Sequence, residues 1–491
     1  MKPNLYRFNF KVVILLVLFL GVQTGCNNWI DIEPENELIK QEFWKTSDDV
    51  MSVLAASYDA LRGCTEKSFL LGEVRADIVS VGGGSYSDYS RIAFNDITST
   101  NNACKWGEYY NTINLANTVM FYAPLIQELD KSLTDRMLEG IESEMLFIRA
   151  LSYFYLVRIW KDVPLVLEAT ISDTVDFYIP KSPENEVIDQ IIIDLKKASS
   201  LAFEGQFAND RPFYKGRANK FSIQTLLADV LLWDENYEEA ILYCDSVIGS
   251  GRFALEPTSK WFDLYFPGNS LNESIFEMQF DDNLDNQENS MYYELLNVDR
   301  FTSSLLSSDV DKAAYDPDID IRICGNSGPL WKYVGTDETG VSSRRRRDSQ
   351  RDANFIYYRF ADVLLIKAEA CAETGSFDQA NSLLREVAER AGTFAIPIYT
   401  LNEFRNAVLV ERGREFAAEG KRWFDVLRFA KKESFKEKKI LTDIILAKAT
   451  DAKELAIMRT KVIDTMSYYL PIHEDEIQVN RNLVQNPFYD R

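Results

Sequence analysis

Histidine is almost absent from this sequence. His473 is the single imidazole among 491 residues. That excludes any metal site needing two histidines, and it leaves a Ser-His-Asp triad only if His473 serves it. Cysteine is scarce and scattered. Cys26, Cys64, Cys104, Cys244, Cys324 and Cys371 form no CxxC pair, so neither a structural zinc site nor a regular disulfide framework is indicated. Cations are outnumbered, 54 Lys+Arg against 76 Asp+Glu, for a formal charge of −22. A surface of that sign repels a phosphate backbone and argues against nucleic acid. Gly82-Gly83-Gly84 has neither GxGxxG nor GxxxxGK[ST] context, and no GxSxG elbow occurs, so nucleotide and hydrolase chemistry lack their usual machinery. What is present is apolar: 46% hydrophobic and 13% aromatic residues suffice for a packed core.

Long apolar runs are missing too. Met145–Trp160 is interrupted by Arg149, Ser152 and Arg158 and reads as a buried helix. Val12–Val22 is shorter than the roughly 20 residues a bilayer needs. Preceded by Lys2, Arg7 and Lys11, it has the shape of a secretory signal peptide. The run ends in Gln23-Thr24-Gly25-Cys26, which resembles a bacterial lipoprotein cleavage site, although Gln23 stands where an aliphatic residue is usual. Cys26 is then the expected lipid-bearing first residue, carrying palmitate-type acyl chains. Cys244 and Cys371 fall in helical patterns and are expected to pack as small hydrophobes. Cys64 and Cys104 are a possible bridge that nothing in the sequence compels.

Helical periodicity dominates the rest. Val50–Leu61 is amphipathic, with Ser47-Asp48-Asp49 available as its cap region. Trp106–Tyr122 places Tyr109, Tyr110, Ile113, Ala116 and Val119 at helical spacing. Pro183–Leu201 has Ser182 as a cap and Pro183 at the first helical position. Two segments repeat one another. Ala228, Leu231, Tyr237, Ala240, Cys244 and Val247 lie at offsets 0, 3, 9, 12, 16 and 19, and Ala368, Cys371, Phe377, Ala380, Leu384 and Val387 match them. This is the small–aromatic–small spacing of a tetratricopeptide helix hairpin. With 140 residues between them, the two units do not read as a continuous solenoid.

Blocks spread along the chain resemble the SusD/RagB family of bacterial outer-membrane lipoproteins. They are the signal followed by Asp31-Ile32-Glu33-Pro34; Ile148–Val157 (IRALSYFYLV) leading to Val163-Pro164-Leu165; Tyr358–Ala370 (YRFADVLLIKAEA); Glu411–Asp425 (ERGREFAAEGKRWFD); and Tyr469-Leu470-Pro471-Ile472 with Asn486-Pro487. The resemblance implies a mostly α fold in which four tetratricopeptide-like helix pairs support a loop-rich face with a few short strands. It implies a signal peptide over 1–25, an N-terminal region over 26–240 and a C-terminal region over 270–491, interleaved as one unit. It also implies a surface-exposed, lipid-anchored, non-catalytic protein. Such a protein delivers oligosaccharides, or in some members peptides, to a SusC-like TonB-dependent transporter. An adaptor without a small-molecule ligand is the alternative, and a glycan-cleaving enzyme a weaker one.

Glu411, Glu415 and Glu419 share a helix face beside Arg412, Arg414 and Arg422. A glycosidase needs two carboxyls across a sugar, roughly 5–9.5 Å apart, so an ion-pair network is the better reading. Asp281/Asn283/Asp285 and Asp316/Asp318/Asp320 have calcium-loop spacing without the glycine or the closing glutamate, so no metal and no cofactor is expected. Arg344–Arg347 reads as a solvated loop, or in a minority of cases a docking element. His473 is expected to be structural. Sugars need an aromatic platform flanked by hydrogen-bonding groups. The polar loops offer Tyr86, Tyr89, Arg91, Asn101 and Trp331 as the candidate ligand-binding residues, with Asp96, Asn102, Trp261, Tyr265, Tyr292 and Tyr293 nearby in sequence. Trp106 and Tyr333 are expected in the core. No binding residue carries over from the family, whose members share no fixed ligand motif.

Overall fold

Thr46 starts the first helix from both directions. Its hydroxyl accepts from the Asp49 backbone N–H at 3.4 Å, and its own N–H donates to the Asp49 carboxylate at 2.7 Å. This capping box opens α1 (Ser47–Gly63) one residue before the expected cap stretch. The computed structural model describes residues 43–81, 88–171, 177–203, 215–284, 288–289, 301–303, 322, 331–334 and 351–490. Residues 1–45 and 46–491 are separate compact units, and the elements named here belong to the second. Cys26 lies outside the described residues.

α2 (Gly107–Leu129) runs past Tyr122 and through Pro124. An interior proline costs about 3 kcal/mol. Ala123 and Ile126 remain buried beyond Tyr122, and that packing sustains the extra turns. α3 (Asp135–Trp160) begins where the Thr134 hydroxyl accepts from Met137 N–H at 3.3 Å. Its C-terminal two-thirds is buried all round, which explains the long apolar stretch. The interrupting arginines have partners. Arg149 donates through Nε and Nη2 to Asp194 of α4 (Glu184–Leu201), 2.8 Å each, and through Nη1 to Asn117 of α2 at 2.8 Å. One guanidinium thus clamps three helices. Pro183 stands just outside α4, not within its first turn.

The repeated segments fold alike. α5 (Lys220–Trp233) and α6 (Tyr237–Gly249) form the first hairpin, α7 (Phe360–Glu373) and α8 (Phe377–Arg390) the second. Asn236 N–H donates to Leu231 O at 2.9 Å in one turn, and Ser376 N–H to Cys371 O at 2.7 Å in the other. The residue before each turns left-handed, Glu235 at φ 61° and Gly375 at φ 83°. Ala228, Ala240, Ala368 and Ala380 are buried where the helices approach, and Tyr237 and Phe377 half-fill the turns.

Four pairs stack in chain order: α1–α2, α3–α4, α5–α6 and α7–α8. α6 packs directly on α7, so the two repeats are neighbours although a long insertion separates them in sequence. The expected break in the array is absent because the insertion leaves and returns on one side. It does so as a buried antiparallel pair, β1 (Ser274–Met278) with β2 (Phe355–Arg359). Two further ribbons are very short: Val79–Val81 with Phe301–Ser303, and Val163–Pro164 with Lys181–Ser182. α9 (Leu401–Glu415) packs on α7 and leads to α10 (Arg422–Phe435). The molecule is mostly α with few short strands, as the sequence resemblance implied. Among the described residues no helix is long and apolar enough to cross a membrane.

Cys64, Cys104, Cys244 and Cys371 are free and buried, so Cys64 and Cys104 are not bridged. Burial pushes the Cys64 and Cys104 thiols up to about 12. His473 caps a short helix, its Nδ1 accepting from Asp475 N–H at 3.1 Å.

Candidate functional site

The Glu411–Glu419 face is turned inward. Glu415 accepts from Arg359 Nη1 at 2.5 Å, from Arg322 Nη1 at 2.8 Å, and also from Arg390. Glu411 accepts from Arg322 at 2.6 Å, and Glu419 from Lys332 at 2.6 Å and Arg359 at 3.0 Å. Glu273, from the insertion, accepts from Arg359 at 2.6 Å and Arg390 at 2.7 Å. Burial pushes the Glu415 carboxyl up, but Arg390, Arg359 and Arg322 outweigh it and hold it well below the ordinary range. Glu419 is likewise held down: burial opposes, and Arg359, Lys332 and Lys421 prevail. Carboxylates held ionised in a closed core cannot donate a proton to a glycosidic oxygen. This is the expected ion-pair network. Arg322 and Lys332 reach it from the insertion, so it also anchors that segment.

An open cleft lies elsewhere. Gly63 ends α1, and the chain continues as the short helix Thr65–Phe69 and the wide turn Leu70–Val74. Opposite stand the helix Asp88–Ala93, the turn Asn102–Cys104 and the first turn of α2. Between them is an open cleft lined by Glu66, Lys67, Leu70, Asp88, Tyr89, Asn102 and Glu108, with Gly63 and Ala103. Tyr89 is half-buried, and its hydroxyl donates to the Glu66 carboxylate. Asp88 accepts from Asn102 Nδ2 at 3.0 Å and from its backbone N–H at 3.3 Å. Lys67 Nζ donates to Lys105 O at 2.5 Å and lies 3.1 Å from Glu108. A phenol ring, carboxylate acceptors and amide and ammonium donors around one cleft are the groups that grip a polyol.

The candidates predicted from sequence divide. Tyr89 lines the cleft. Arg91 is half-buried on the same helix and is not among the lining residues. Asn101 is turned into the fold, 1% exposed, where its side chain accepts from Ala103 N–H at 2.9 Å and donates to Asp88 O at 3.2 Å. Its neighbour Asn102 faces the cleft instead. Tyr86 lies outside the described residues, as do Tyr292, Tyr293 and Arg344–Arg347. Trp331 opens the helix Trp331–Val334, and its side chain is also outside them. Trp261 and Tyr265 are buried against one another, their ring centroids 5.2 Å apart, so they pin the insertion to the core and offer no platform. Trp106 and Tyr333 are core, as expected. The sequence reading missed Glu66, Lys67, Asp88 and Glu108, because they sit in helices without any motif and meet only through the tertiary fold.

Comparison with known proteins points one way. A profile described as "Starch-binding associating with outer membrane" matches residues 28–232, and a profile of the SusD family matches residues 326–489. The chain is similar to SusD-like protein P38 of Formosa agariphila, with 27% identity over 473 residues covering 86% of this chain and 91% of the relative. It is also similar to a SusD-like protein of Bacteroides ovatus, with 23% identity covering 85% and 82%. Solved structures share the fold. A SusD superfamily protein from Bacteroides vulgatus superposes with a TM-score of 0.73 at 21% identity, covering 91% of this chain and all of the other. A structure titled surface glycan-binding protein A from Bacteroides uniformis gives 0.72 at 20% identity, covering 90% and 100%, and one titled laminarin binding SusD-like protein gives 0.66 at 21%, covering 90% and 100%.

Proposed function

Because this chain belongs to the SusD/RagB family, we propose that it is a non-catalytic, outer-membrane lipoprotein that binds oligosaccharide and passes it to a SusC-like TonB-dependent transporter. The observation that carries the reading is the cleft beside Tyr89, on a fold shared with proteins titled as glycan- and laminarin-binding. The ring offers a face for the apolar side of a sugar, and Glu66, Asp88, Asn102 and Lys67 offer partners for hydroxyls. The buried Glu411–Glu419 network explains the acidic motif without catalysis. Acyl chains on Cys26 hold the protein at the membrane. Tethering there raises its effective concentration toward a transporter in the same bilayer, so a modest interface stays occupied.

Calorimetric titration with a panel of neutral oligosaccharides, laminarin fragments included, tests the binding step. Saturable heat with at least one glycan is expected, weakened in Tyr89→Ala. Silence across the panel, with binding of a peptide library instead, overturns the carbohydrate assignment.

A further inference from the structure

We propose that a small chamber beneath β2, distinct from the Tyr89 cleft, is a hydration site that holds one or two ordered water molecules as a fixed part of the fold. It lies where α3, α5, β2, α7, α9 and α10 converge, and it shares no lining residue with the cleft. Its free space admits about one or two water molecules, too little for a sugar. The side chains around it are nearly all buried, and only Asp229 and Lys421 at its edge are half-buried.

Two side chains lining this chamber carry buried polar atoms without a hydrogen-bond partner among the described residues. They are Arg412, through Nη1, and Asp425, through Oδ2. Arg412 and Asp425 already form an ion pair, Nε to Oδ1 at 2.9 Å, and Asp425 accepts from Arg428 at 2.9 Å, so the orphaned atoms are the remainder of an otherwise paired set. Two further pairs facing the chamber stand too far apart for direct bonding: Arg158 to Asp229 at 4.0 Å and Arg412 to Asp362 at 3.9 Å. Contacts of that length between buried ions are the usual place for a bridging water. Leaving buried polar groups unsatisfied costs roughly 1–3 kcal/mol each, so this arrangement persists when something completes it.

The chemistry of the orphans selects the occupant. Arg412 can only donate, and ionised Asp425 can only accept. An anion would meet the Arg412 donors but face the Asp425 carboxylate. A cation would do the reverse. The lining charges, Arg158, Arg412, Lys421 and Arg428 against Asp229, Asp362 and Asp425, are close to balance once Glu369, which accepts from Arg428 at 2.7 Å, is counted. Water alone both donates and accepts at this size.

The test uses the unaltered chain. A crystal structure at a resolution that shows ordered solvent should place full-occupancy density within about 2.7–3.2 Å of Asp425 Oδ2 and of Arg412 Nη1. A parallel bromide soak should give no anomalous peak in the chamber. Density absent, or a rearranged Arg412–Asp425 pair that closes the space, overturns the proposal, and so does a bromide peak. Glycan titrations do not bear on this outcome, so it stands or falls independently of the function proposed for the cleft.

Discussion

Arg359 and Glu415 meet in the centre of the protein, Nη1 to Oε1 at 2.5 Å, both side chains at 0% exposure. Arg359 ends β2 on the return from the insertion, and Glu415 ends α9. The same guanidinium reaches Glu273 and Glu419, so it joins the insertion, the second hairpin and α9 at a single point.

Replacing that cation leaves three buried carboxylates short of a partner. Arg359→Met is expected to cost at least about 3–5 kcal/mol, the loss typical when one side of a buried ion pair is removed. Arg359→Lys should recover only part, because an ammonium cannot reproduce the planar fork. Chemical denaturation of the three proteins measures both differences.

Glu73 supplies a pH signature. Burial pushes its carboxyl from 4.5 up to about 7, and the N–H groups of Ala418 and Gly420, donating at 2.9 and 3.1 Å, offset only part of that. Between pH 4.5 and 7 the folded chain therefore holds a proton that the unfolded chain has released. Stability from this group falls as pH rises through that window, by up to about 1.4 kcal/mol per unit, and levels off above it. Glu73→Gln removes the titration. The stability of wild type minus that of the variant should decline from pH 4.5 to 7 and then stay flat.

Gly72 packs against the turn that carries Gly420. A Cβ there would come within 1.8 Å of Gly420 O, a backbone atom that cannot swing aside. Gly72→Ala should lower the melting temperature sharply, because overpacking costs about 1–3 kcal/mol even where side chains can adjust. Gly63→Ala is the control. Nothing lies within 4 Å of its added carbon, and at a helical position alanine should be neutral or stabilising by up to about 1 kcal/mol.

Tyr89 separates binding from folding. Tyr89→Ala is expected to weaken glycan binding by about 2–10-fold, the scale of an aromatic contact, with a melting curve close to wild type. Tyr89→Phe keeps the ring and loses the hydroxyl that bonds to Glu66, so it should bind nearly as well. A fall in both variants would mean that the hydroxyl, and not the ring face, makes the contact.

Cys26→Ala tests the anchor. Each buried methylene contributes about 0.8 kcal/mol, so two or three acyl chains hold a protein stably on a bilayer. The variant should move to the soluble fraction, and gentle detergent extraction of the wild type should co-purify a large barrel protein. An unmodified mature N-terminus by mass spectrometry would remove the anchor from the account.

The sequence by itself determined the helices, the two matching hairpins and the inward role of Glu411, Glu415 and Glu419. Those features are local: periodicity, capping and i, i+4 spacing act within one or two turns of chain. It could not show that the hairpin at Ala228 stacks on the hairpin at Ala368, because nothing in the intervening residues records that β1 and β2 return the chain to its starting point. It could not sort Trp261 and Tyr265, which are buried, from Tyr89, which lines an open cleft, since all three lie in polar, turn-rich stretches of the same composition. Asn101 and Asn102 differ only in the direction their side chains take from one tight turn. Glu66, Lys67 and Glu108 became part of a cleft only when α1 packed beside α2. Helix formation depends on neighbours in sequence, whereas burial and the pairing of distant charges depend on neighbours in space, and only the tertiary structure decides those.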